Sequence, residues 1–241
     1  MKFFRLLILL LVFTSCKKES ATLTFSETNI LKETTTIIEI NMPKAQGKGP
    51  AIEKINHTLQ AFVCQALHID AASEKKETLE ESMQAFDTAY DNFNTLISSE
   101  LKEELPQWEA LIDGEVIYNT TNFACIAMNS SINTGAANSN LLLRFFNFDA
   151  NTGDLLTTKD VINNIEEFTA LVENYYNKEV NSTFTDADNL LNNNQFKLPE
   201  TLGFSEEGII ILYDNFNVGA FEKEIVEFTI PYEVANTYLK I

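Results

Sequence analysis

Residues 115–148 read EVIYNTTNFACIAMNSSINTGAANSNLLLRFFNF. Three runs within it, Glu115–Tyr118, Asn122–Ser130 and Ser139–Phe148, have the short β-forming character of strands. Gly135, flanked by Asn133 and Asn138, marks a loop between the second and third. Strands that follow one another without an intervening helix pair antiparallel, so this stretch points to an α+β fold rather than a βαβ alternation. The expected architecture is antiparallel sheet packed by amphipathic helices, in two sub-domains.

Working toward the N-terminus, Pro106 closes a helix whose stripe is Leu79, Met83, Phe86, Tyr90, Phe93, Ile97 and Leu101, in steps of four and three. That spacing places one apolar face on a sheet. Before it, Pro50 suits the first turn of another helix. Ile52, Ile55, Leu59, Phe62, Val63 and Ala66 line one side of that helix. The turn Gln46–Pro50 precedes it, and Ala21–Leu31 and Thr34–Met42 read as strands. Toward the C-terminus, Asn151-Thr152-Gly153-Asp154 is a turn. A helix covers about Ile165–Lys178, with Phe168, Leu171, Val172 and Tyr175 facing inward. Thr183–Asn194 reads as a loop. Gly208–Tyr213 and Ile225–Tyr232 form a hairpin, and a short helix ends the chain.

The first sixteen residues speak to location. Lys2 and Arg5 precede an unbroken apolar run, Leu6–Phe13, and then Thr14, Ser15 and Cys16. A basic start, a short apolar core and small residues before a cleavage point make an export signal. The run is far shorter than the ~20 residues of a spanning helix. Ending on cysteine, it resembles the lipobox of bacterial lipoproteins, with Phe13 where that pattern has Leu. The resemblance implies cleavage before Cys16, lipidation of its thiol and amine, and a bacterial envelope protein tethered at the outer membrane or cell surface. The expected divisions are a signal at 1–15, a lipidated tether at 16–22, an N-terminal α+β sub-domain at 23–112 and a C-terminal one at 113–241.

The full chain carries 35 acids against 17 bases, a net charge of −18. Losing Lys2 and Arg5 with the signal takes this to −20. Nucleic-acid phosphates demand Lys and Arg, so that partner class is excluded. A strongly acidic surface speeds encounter with basic partners instead. Hydrophobic residues make up 45% of the chain, enough for a packed core and incompatible with a disordered acidic tail.

Residues suited to catalysis are sparse. The two histidines, His57 and His68, share a helical face with Cys64. Cys64 and His68, at i and i+4, can grip one metal, but His57 lies about 10 Å along the axis and cannot join them. Structural zinc takes four ligands. The expectation is an exposed polar face and no cofactor or metal. An oxidising envelope permits a disulfide between Cys64 and Cys125, though two unpaired thiols are the expectation. Asp149, Asn151 and Asp154 echo a calcium loop, but Gly153 precedes the acid and the bidentate Glu is missing, so a hairpin turn is the better reading. Asp186 and Asp188 fail similarly, with Leu190 at the next ligand position. There is no G-x-S-x-G elbow and no phosphate loop.

The second half carries a family resemblance. Phe148, Asp149, Thr152, Gly153, Leu155, Leu156, Asp160, Val161 and Ile162 resemble a strand–tG–leucine–Dlf–helix pattern. Phe204, Glu207, Gly208, Ile209, Ile211 and Tyr213 match its next strand. Phe216, Val218, Phe221, Glu227, Phe228, Thr229, Ile230, Pro231 and Tyr232 align with its closing segment ending in IPY. This is similar to the extracellular C-terminal domain of lysozyme-sensing anti-sigma factors, a domain also found beside peptidoglycan deacetylases and in envelope lipoproteins of unknown function. The first half, with its helix beginning INHTL, looks like the small α+β domain that usually precedes it. The resemblance implies an α+β fold and a binding rather than a catalytic role. Gly135, Ala136, Ala137 and Asn138 occupy the place of a Gly-Gly-Ala-His loop in the relatives and form a candidate binding loop. Asn138 replaces its histidine, Ala220 stands where Pro is usual and Glu224 where Gly is usual. The expected function is a non-catalytic envelope protein that binds a basic wall-active protein such as lysozyme, or wall glycan. The alternatives are a peptidoglycan-modifying enzyme or accessory, and a structural lipoprotein.

Overall fold

The computed structural model describes residues 22–69, 74–101, 105–136, 139–183, 196–215 and 224–240. The expected export signal, Cys16, Ala137, Asn138, Asp186, Asp188 and Ala220 lie outside the described residues.

The chain begins with a hairpin of β1 (Phe25–Glu33) and β2 (Ile37–Ala45). Gly49 then turns the chain at φ +122°, a conformation costly for any side-chain-bearing residue, and Pro50 opens α1 (Pro50–Ala66). Next come α2 (Leu79–Leu101), β3 (Glu109–Asn119), β4 (Phe123–Asn133), β5 (Asn140–Asp149) and the short β6 (Leu155–Leu156). Two helices follow, α3 (Thr158–Val161) and α4 (Ile165–Thr183). The strands β7 (Gly203–Phe204), β8 (Gly208–Asn215) and β9 (Glu224–Pro231) lead to α5 (Tyr232–Ala235) and a 3-10 turn at Asn236–Tyr238. The fold class is α+β. No described helix is long and apolar enough to cross a membrane.

The strands β1 to β6 form one sheet in sequence order, and β7 to β9 form a second. All pairs are antiparallel except β2 and β3. The expected α+β fold of antiparallel sheet and helices is thus found, with one parallel pair within it. A parallel pair needs a long crossover, and α1 and α2 supply it. The sub-domain boundary expected between 112 and 113 falls inside β3.

The two faces of the large sheet serve two cores. Ile38, Ile40, Ala110, Ile112, Ile126, Met128 and Phe148 point to one side and meet Ile55, Leu59, Phe62 and Val63 of α1 and Phe86 and Tyr90 of α2. On the other side Phe123, Cys125 and Phe145 meet Phe168 and Val172 of α4 together with Phe204, Ile209, Ile211 and Ile230 of the small sheet. Strand alternation makes this possible, since successive residues of β4 point to opposite faces.

Two expectations about the helices need correction. The α2 stripe is core only in its first part: Phe86 is 0% exposed and Phe93 is 39% exposed. Phe93 still touches the Trp108 ring, with centroids 5.5 Å apart. The helix outruns the sheet it packs on. Cys64 is 1% exposed and does not sit on an open polar face. With α2 packed beside it, α1 is covered on more than one side, and its buried arc is wider than one stripe. Cys64 and Cys125 are both free thiols. The Cys125 thiol is pushed up to about 12 by burial, with the Phe204 N–H opposing this through a hydrogen bond to Sγ.

Candidate functional site

The structure builds two surfaces of interest on the large sheet. The first is the face of β1, β2 and β3 turned away from α1 and α2. Strand register places Leu31, Glu39, Leu111 and Ser131 in one row across four strands. The row on one side is Asn29, Asn41, Asp113 and Asn129, and the row on the other is Glu33, Ile37, Glu109 and Asn133. Every charged residue in these rows is an acid. Leu31 is 63% exposed and Leu111 39%, and they stand on either side of Glu39, so apolar and acidic side chains alternate along the row. Asn41 Nδ2 donates to Glu39 Oε1 at 3.0 Å and to Asp113 Oδ1 at 3.2 Å, fixing two of those carboxylates across neighbouring strands.

The first residues of the candidate loop border this face. Gly135 lies two residues past the end of β4, its φ of +82° fits glycine, and its N–H donates to Asn133 Oδ1 at 2.9 Å. Gly135 and Ala136 are exposed, while Ala137 and Asn138 lie outside the described residues.

The second surface is a cleft of about 670 Å³ at the opposite end of β4. Tyr118, Phe123, Leu156, Tyr232 and Leu239 form its apolar lining, and Thr120, Asn122, Asp149, Asn236 and Lys240 its polar part. A register shift between Val116 and Tyr118 creates this lining. The extra residue, Ile117, reverses the alternation, and Tyr118 comes to lie opposite Cys125, on the face of the second core. The Tyr118 and Tyr232 rings stand 6.4 Å apart at 44°, and Tyr118 and Phe123 6.1 Å apart at 57°. The Tyr232 hydroxyl donates to the Ser205 carbonyl at 2.8 Å, which fixes its ring. Burial, and then the neighbouring Tyr118 and Cys125, raise the Tyr232 hydroxyl above its ordinary value. Asp149, Leu156 and the distant Tyr232 all belong to the segments that carry the family resemblance, and here they share one cleft.

The turn that echoed a calcium loop is a hairpin turn. Asp149 Oδ1 accepts the N–H groups of Asn151 and Thr152 at 2.8 and 2.9 Å. Gly153, at φ +70°, lies so close to the Ala51 carbonyl that any side chain there would collide with it. Asp154 pairs with Lys54 at 2.5 Å, and that ammonium holds its carboxyl below the usual range. The turn therefore clasps the start of α1. Among the described residues no three of His, Cys, Asp or Glu come together as a metal site. His57 is exposed and His68 half-buried.

Residues 30–141 match the family model described as "Deacetylase PdaC", and residues 153–233 match "Protein of unknown function (DUF3298)". The chain is thus similar to these two families over most of its described length. A solved member of the DUF3298 family from Bacteroides fragilis superposes with a TM-score of 0.71 at 17% identity, covering 92% of this chain and 95% of that one. A DUF3298 family protein from Pseudomonas aeruginosa superposes at 0.61 with 15% identity, covering 90% and 94%. At such identities the likeness speaks for the fold. No curated protein matches the chain. The similarity to both families is consistent with the family resemblance drawn from the sequence, without linking the chain to an anti-sigma factor or to lysozyme.

Proposed function

We propose that this chain is a lipid-tethered envelope protein that captures a basic, wall-active protein without catalysing a reaction. The observation that carries this reading is the acidic sheet face, where Glu33, Glu39, Glu109 and Asp113 are interleaved with the exposed Leu31 and Leu111. Such a face offers a basic protein apolar contact and electrostatic matching side by side. The net charge of −18 reinforces it by drawing cations from a distance. The sequence resemblance makes lysozyme the first probe. The model matching residues 30–141 names a deacetylase, which is said of that family; release of acetate from a wall glycan by the purified chain would replace the binding reading with an enzymatic one.

In a biosensor run with immobilised chain, lysozyme is expected to bind at low salt. Its association rate should fall steeply toward physiological salt, where screening shortens to ~8 Å. Dissociation should change less. Glu39→Lys together with Asp113→Lys should slow association several-fold. No binding even at low salt would remove the reading, and so would binding indifferent to both changes.

The tether is tested separately. Cys16→Ser is expected to move the protein from the membrane fraction to the soluble envelope fraction, because two acyl chains hold where charge cannot. Retention on membranes would overturn lipidation as the anchor.

A further inference from the structure

We infer that the Tyr118–Tyr232 cleft is a binding site for a neutral oligosaccharide, separate from the acidic sheet face and independent of the basic-partner reading. Its size falls within the range of small-molecule sites. Its chemistry differs from the rest of the surface. On a chain with a net charge of −18 it holds one carboxylate, Asp149, and one ammonium, Lys240, and so is close to neutral. A polyanion or polycation gains nothing there.

The lining answers to a pyranose ring, which presents apolar C–H faces and a hydroxyl edge. Two tyrosine rings inclined at 44° offer flat apolar platforms, and Phe123 forms the floor beneath them. Tyr232 is held by its bond to Ser205, so its platform is in place before any ligand arrives. Around them stand groups suited to hydroxyls. Asp149 spends Oδ1 on its own turn, and among the described residues Oδ2 has no partner. The Asn236 side chain is exposed and uncommitted among the described residues. An amide donates and accepts, and a carboxylate accepts, which is the complement of a sugar hydroxyl edge. At about 670 Å³ the cleft has room for more than a single pyranose ring.

The test is calorimetric titration of the full chain with chitotetraose, with an oligogalacturonate as the anionic comparison. Chitotetraose should bind and the oligogalacturonate should not. Tyr118→Ala should weaken binding about tenfold, an aromatic face being worth about 1.4 kcal/mol at that ratio. Asn236→Ala should weaken it about threefold, and Glu39→Lys on the acidic face should leave it unchanged. Should Tyr118→Ala fail to fold, the side-chain amide resonances of the unaltered chain decide. Those of Asn122 and Asn236 should move on titration, and those of Asn29 and Asn41 should not. Absence of binding at millimolar sugar overturns the proposal. Equal affinity in a folded Tyr118→Ala, or movement confined to Asn29 and Asn41, does the same. A failure here leaves lysozyme binding at the acidic face untouched, and the reverse holds too.

Discussion

Phe86→Ala is expected to cost about 3–5 kcal/mol of folding stability. The ring is wholly buried between α2 and the large sheet. It also packs on Trp108, with centroids 5.7 Å apart, which adds to its area burial. Truncation leaves a ring-sized void that the sheet, fixed by its hydrogen-bond ladder, cannot close. Phe93→Ala, two positions further along the same stripe, should cost about 1 kcal/mol, because its ring is 39% exposed. Urea unfolding followed by far-UV circular dichroism measures both. Equal midpoints for the two variants would show that α2 does not end its core contact where the structure ends it.

Asp87→Ala should be nearly as damaging, by about 3 kcal/mol. This carboxylate is 5% exposed and binds the turn between β1 and β2 to α2. Lys32 Nζ lies 2.6 Å from Oδ2, Thr36 donates to Oδ1 at 2.6 Å, and Thr34 donates at 3.0 Å. Removing it strands the fully buried Thr36 hydroxyl and leaves Lys32 unpaired. Burial pushes the carboxyl up, but the hydrogen bonds from Lys32, Thr36 and Thr34 and the charge of Lys32 outweigh it, so the folded group titrates below its ordinary value. A depressed carboxyl stabilises the fold above its unfolded value, about 3.9, and loses that contribution as pH falls through the folded value. The gap between the parent and Asp87→Asn should therefore be full at neutral pH and close below about pH 4. A gap that stays constant through that range would show that the ion pair contributes nothing of its own.

The helices were legible in the sequence because their signal is local. Leu79, Met83, Phe86 and Tyr90 recur at helical spacing, and both bounds of α2 follow from that run and Pro106. The turn at 151–154 was legible for the same reason, as Gly153 and Asp149 announce it. The parallel pairing of Ile37–Asn41 with Glu109–Asp113 was not, since no residue in either strand specifies a partner more than sixty positions away. Periodicity also says which face of a helix is apolar but not where the neighbouring sheet stops, hence the exposed Phe93. Cys64 looked exposed because the second helix that covers it contributes no pattern to α1. The cleft was hidden for a geometric reason. It depends on the bulge at Ile117, and alternation read along Glu115–Tyr118 as a regular strand places Tyr118 on the wrong face. Of the candidate loop drawn from resemblance alone, Gly135 and Ala136 lie at the far end of β4 from that cleft and beside the acidic face.

The strand β4 is lined on one side by Ile126, Met128 and Ile132 and on the other by Phe123 and Cys125. It works like a zip with teeth on both edges. Deleting one residue from its middle would turn every following tooth over and thrust Met128 and Ile132 out of the first core, toward the side that carries the second core and the acidic face, while polar Asn129 and Ser131 entered the first. No compensating change in a single neighbour could mend both sides. A strand so constrained accepts substitution but not a change of length, and whatever variation this chain tolerates must be taken up in the turns at its two ends, where the acidic face and the cleft begin.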